Sequence, residues 1–203
     1  MRICKRIKGE KKMSEMEGSG KNVKAAGPTS RLSVLDMVYT GLLSAVICVC
    51  SILAINIGEV PITLQTFAVC TAAGLLGWKR GSACVLVYVL LGAVGIPVFG
   101  GMTGGIGVLT GSTGGYIIGF IFTALIVGFA ADKFDRSVPA LLISMILGVL
   151  VCYAFGTAWF MFLTKLDLMT ALSYCVFPFL IFDAIKIVLA TVIVNRVSSV
   201  IRL

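Results

Sequence analysis

GGYIIGFIFTALIVGFAA, residues 114–131, runs without a single charge. A helix needs ~20 mainly apolar residues to cross the hydrocarbon core of a bilayer, so this stretch reads as a membrane span. Five more apolar segments flank it: 35–55, 62–77, 81–97, 138–163 and 171–195. Composition agrees. The 203 residues are 59% hydrophobic and only 13% charged, whereas soluble domains carry roughly a quarter charged residues. The reading is an all-α integral membrane protein of six transmembrane helices. The second and third segments are short for a full crossing. Part of their flanking backbone is expected to dip to membrane depth, which is tolerated only where protein or a cavity covers it.

Charge distribution orients the segments. The first 34 residues hold nine Lys or Arg against three Glu. They are polar and Gly/Ser-rich and read as a disordered cytoplasmic tail with no apolar core of a cleavable signal peptide. Residues 35–203 form the membrane domain. Lys79 and Arg80 join segments two and three, Lys133 and Arg136 join four and five, and Arg196 and Arg202 follow the sixth. The opposite connections carry a single basic residue, Lys165. Basic loops face the cytoplasm, so both termini are expected there, in a multi-pass protein of the cell membrane. Lipid is an expected partner and nucleic acid is not.

Several chemistries drop out. With no histidine, Ser-His-Asp triads and HExxH zinc sites are absent. Six of the seven cysteines lie in or beside apolar runs and no CxxC occurs. They read as small buried hydrophobes rather than metal ligands. A membrane aspartyl protease needs two intramembrane aspartates, and only Asp183 lies inside an apolar segment, with Asp36 at an edge. No phosphate-binding loop is present, since no GK[ST] follows the glycines of 100–116.

What remains is PFLIFDAIKI, residues 178–187, where Asp183 and Lys186 stand three apart inside an apolar run. That spacing puts both on one helical face. Charges inside a span turn toward the protein, pair, and mark a ligand or pathway. A purely structural ion pair is the alternative. The glycine-rich stretch GGMTGGIGVLTGSTGGY, 100–116, lets backbone approach a ligand closely, and its Thr103, Thr110, Ser112 and Thr113 offer hydroxyls. In NIGEVPITLQT, 56–66, Pro61 discourages helix, and Thr63 and Gln65 suit recognition of a neutral polar group. Tyr116, Tyr153 and Trp159 offer walls with a polar tip. On the first segment, Gly41 and Ala45 form a small-xxx-small pair that lets another helix come close.

Five stretches together, VPITLQTFAV (60–69), GWKRG (77–81), LVYVLLGAVGIPVFGG (86–101), TGGIGVLTGSTGGYIIGF (103–120) and PFLIFDAIK (178–186), resemble the BioY biotin transporters. These are the substrate-binding S components of energy-coupling factor (ECF) transporters. The resemblance spans roughly 35–200. It implies a six-helix subunit that captures biotin from outside and delivers it with an energising module, a membrane T component and two cytoplasmic ATPases. It implies no enzyme activity, no cofactor and no ATP site in this chain. It places ligand contacts at Asp183, Lys186 and Tyr116 and in the glycine-rich loop 100–115, with Thr103, Gly104 and Thr113, and partner docking at Gly41 and Ala45, where the family favours Ala at the first of these; Gln65 joins the expected contacts as an uncharged hydrogen-bonding group. Asp183 would accept from a ureido N–H and Lys186 would donate to the ureido carbonyl. The reverse pose, with Lys186 on the valerate carboxylate, also satisfies the charges. An S component for another small vitamin is the closest alternative.

Overall fold

Residues 34–55 and 62–200 are described by the computed structural model. The basic tail and the stretch 56–61, with Pro61, lie outside these described residues, as do 201–203. Apolar sequence becomes helix almost throughout: α1 Val34–Ile52, α2 Gln65–Ala93, α3 Ile106–Thr110, α4 Gly114–Lys133, α5 Val138–Thr164, α6 Leu168–Cys175 and α7 Phe177–Val200. A two-stranded antiparallel ladder, β1 Ala54–Ile55 with β2 Ile62–Thr63, follows α1 and pairs Ala54 with Thr63. Among the described residues five helices are long and apolar enough to cross a membrane: α1, α2, α4, α5 and α7.

The sequence suggests two segments where the structure has the single element α2. The difference lies at Gly77, whose φ of 77° and ψ of −176° are not helical. There the chain folds back on itself. A Cβ on Gly81 would sit 2.6 Å from the Ala73 Cα, and Gln65 Nε2 donates to Tyr88 Oη at 2.6 Å. In an unbroken helix these pairs would be roughly 12 and 35 Å apart along the axis, at 1.5 Å per residue. Residues 65–76 and 78–93 are thus two antiparallel arms, each shorter than the ~20 residues of a full span.

The fold-back exposes two helix ends, and charged side chains from the last turn of α4 and the α4–α5 connection meet both. Asp132 Oδ2 accepts from the Trp78 N–H at 3.1 Å. Arg136 donates from Nε to the Gly74 carbonyl at 3.2 Å and from Nη2 to the Leu75 carbonyl at 2.9 Å. An anion at a helix start and a cation at a helix end match the orphan backbone groups and the helix dipole. Only glycine fits at position 77, because a Cβ there would overlap the Asp132 carboxylate and the φ is left-handed. Arg80 also pairs with Asp36 on the first turn of α1 at 3.0 Å.

The first arm is the centre of the bundle, buried continuously from Ala68 to Gly77. α4 and α5 press together tightly. A Cβ on Gly119 would be 3.0 Å from the Cys152 Cα. The sixth apolar segment, expected as one helix from 171, is two. α6 ends at Cys175, Val176 leaves helical geometry, and α7 begins at Phe177. Pro178 explains the break, since a proline has no N–H for an i→i−4 bond and belongs in a first turn.

Candidate functional site

The fold-back and the ordering of the helices bring α2, α4, α5 and α7 around one cavity. Asp183 and Lys186 lie on the buried face of α7, at 3% and 7% exposure. Lys186 Nζ donates to Asp183 Oδ1 at 2.8 Å and to the Thr63 backbone carbonyl at 2.7 Å. The Thr66 hydroxyl donates to the same Oδ1 at 3.1 Å, and the Tyr153 phenol donates to Oδ2 at 2.5 Å. The carboxylate therefore holds three donors and the ammonium two acceptors. A buried pair of charges needs such extra hydrogen bonds, because mutual attraction alone seldom offsets the loss of water. One ammonium proton and one carboxylate lone pair remain for a ligand.

The walls are mostly apolar: Phe99, Val108, Ile117, Phe120 and Phe179, with Tyr88 beside them. Polar groups enter at a few points. Gln65, Thr103, Thr113 and Tyr116 line the cavity together with Asp183 and Lys186. Gly104 does not. It lies beside the lining, so close to the Ile96 carbonyl that a side chain would overlap it. Tyr116 turns its hydroxyl away to the Cys175 carbonyl at 3.1 Å. Of the three aromatic walls suggested by sequence, Tyr116 and Tyr153 line the cavity. Trp159 instead anchors the glycine-rich stretch, its Nε1 donating to the Gly111 carbonyl at 3.0 Å.

That stretch is organised rather than slack. Phe99 and Thr103 pair as an isolated antiparallel bridge, and Gly105 N–H donates to the Gly92 carbonyl at 2.7 Å. Met102, at the turn between, has φ of 60°, a conformation few non-glycine residues adopt. The chain from 98 to 113 thus lies as a fastened flap at the cavity, with Thr103 on its inner edge.

Sequence reasoning missed Thr66, Phe99, Phe179 and the role of Tyr88. Thr66 carries a faint signal, since it is a further hydroxyl beside Thr63 and Gln65 in the same short stretch. For Tyr88 and Phe99 no local signal exists. Their place depends on the fold-back at Gly77.

Comparison with known proteins gives the family. The BioY family model matches residues 22–203. The chain belongs to the BioY family. It is similar to the biotin transporter BioY of Thermotoga maritima, 40% identical over 81% of this chain and 96% of that protein. It is also similar to the biotin transporter BioY2 of Lactococcus lactis, 38% identical over 80% of this chain and 88% of that one. Among solved structures, the S-component for biotin from an ECF-type ABC transporter superposes with a TM-score of 0.78 at 33% identity, covering 84% of this chain and 94% of that one. As a BioY family member this is a membrane transport protein rather than an enzyme.

Proposed function

We propose that this chain is the biotin-binding S component of an ECF transporter, taking up biotin from outside the cell. The observation that carries the reading is the Asp183–Lys186 pair, buried at the wall of an otherwise apolar cavity with one donor and one acceptor position still open. Biotin's ureido ring presents N–H groups beside a carbonyl. Asp183 accepts from an N–H and Lys186 donates to the carbonyl. Phe99, Ile117, Phe120 and Phe179 cover the thiophane ring and aliphatic chain. The valerate carboxylate reaches the hydroxyls of Thr103 and Thr113.

In this reading the two arms of α2 count as separate passes, making six with both termini cytoplasmic. The fold-back turn, the α4–α5 connection and the start of α1 meet at one end of the bundle through the Asp132, Arg136 and Arg80 contacts. The fold-back turn with Lys79 and Arg80, and the α4–α5 connection with Lys133 and Arg136, carry the basic residues that mark a cytoplasmic side. The cavity lies at the other end. α1 turns Gly41 and Ala45 outward, and nothing lies within 4 Å of a Cβ placed on Gly41. That face docks a membrane T component, and two cytoplasmic ATPases supply the energy.

Biotin titration into the purified protein tests the site. Tight binding in the parent, lost at least a hundredfold in both Asp183→Ala and Lys186→Ala, is expected. Unchanged binding in both variants would exclude the pair, and no binding in the parent would exclude the ligand.

A further inference from the structure

Tyr88 and Ser51 stand outside the roles assigned so far. Ser51, on the last turn of α1, is fully buried, and its hydroxyl lies 3.0 Å from Tyr88 Oη. The same phenol oxygen receives Gln65 Nε2 at 2.6 Å. Gln65 Nε2 donates to the phenol oxygen, so the amide turns its NH₂ to Tyr88 and its carbonyl oxygen to the other side. The phenol's own proton is then left for the Ser51 oxygen. Among the described residues no hydrogen bond reaches Gln65 Oε1, and the one side-chain polar atom both sealed from surroundings and unpartnered is the Thr157 hydroxyl. Gln65 Oε1 is thus an acceptor open to the cavity that Gln65 lines.

We infer that Ser51 and Tyr88 are positioning residues that hold Gln65 as a second acceptor, so that the cavity selects a cyclic urea with two N–H donors, one for Asp183 and one for Gln65. The inference rests on the biotin reading above and adds the atom that reads the second N–H. Without Tyr88's hydroxyl the amide is free to turn over and present NH₂ to a donor, which repels it. Specificity of this kind is large for its cost in residues, because a ligand lacking the second N–H leaves a desolvated acceptor unpaired.

The test uses the full chain, purified in detergent and titrated with biotin and with each of its two mono-N-methyl ureido analogues. Tyr88→Phe keeps the ring that packs edge-on against Phe99. It is expected to weaken biotin binding about five- to tenfold, the scale of one neutral hydrogen bond. Gln65→Leu is expected to weaken it at least as much, and the double variant no further than Gln65→Leu alone. One N-methyl analogue, the one lacking the N–H for Gln65, is expected to bind parent and Tyr88→Phe equally. Unchanged biotin affinity in Tyr88→Phe, additive losses in the double variant, or equal weakening of biotin and both analogues would each overturn the inference. Should Tyr88→Phe fail to fold, Ser51→Ala decides: about threefold weaker biotin binding supports it and parent-like binding overturns it. A parent that binds no biotin overturns the functional proposal along with it, whereas a biotin-binding parent with an indifferent Tyr88→Phe overturns the inference alone.

Discussion

Asp183 accepts from Lys186, Thr66 and Tyr153, and these three come from α7, the start of α2 and the middle of α5. One carboxylate thus ties three helices together at the cavity wall. Truncating it leaves Lys186 buried without a counter-charge, which costs about 3–5 kcal/mol in measured buried pairs. Asp183→Ala should therefore lower the midpoint of thermal unfolding in detergent as well as abolish binding. Tyr153→Phe removes one donor and keeps the ring. It is expected to weaken biotin binding about fivefold, from ~1 kcal/mol per hydrogen bond, with little change in unfolding midpoint. A loss equal to that of Asp183→Ala would mean that Tyr153 contacts the ligand directly. The charged pair was legible in the sequence, because charge in an apolar helix is costly enough to demand a reason. Tyr153 was legible only as a possible wall. No pattern linked a phenol in one helix to a carboxylate thirty residues later.

α2 depends on one glycine and two charges. Gly77→Ala forces a left-handed backbone onto a residue with a Cβ, at ~1–3 kcal/mol, and drives that Cβ into the Asp132 carboxylate. The protein is expected to lose its monodisperse elution in size-exclusion chromatography or to unfold at clearly lower temperature. Arg136→Gln strips the charged cap from the first arm and should destabilise by ~1.5–3 kcal/mol, readable as a lower unfolding midpoint with biotin affinity largely kept. If the cap is without consequence, the two midpoints will coincide. The two apolar runs either side of Lys79 and Arg80 were visible from composition. That they make one buried hairpin was not, because the bonds that stabilise the turn come from residues some fifty-five positions downstream.

As a molecule, the bundle gathers its basic connections at one end and its cavity at the other. α1 packs against the rest through one side only, with Ser44 and Ile47 buried and Gly41, Ala45 and Val49 exposed. If that face docks the proposed T component, replacing Gly41 and Ala45 by Leu is expected to abolish co-purification with it while the isolated subunit still binds biotin. Retained assembly would move the docking face elsewhere. The membrane class, the approximate helices and the side that bears positive charge followed from the sequence itself, since apolar length and loop charge act locally and need no knowledge of contacts. The same holds for Asp183 and Lys186, whose shared face is set by helical spacing. Which partners those charges acquire, how Tyr88 orients Gln65, and why 65–93 turns back on itself are long-range matters. They depend on groups far apart in the chain, whose hydrogen bonds exist only once the helices have packed.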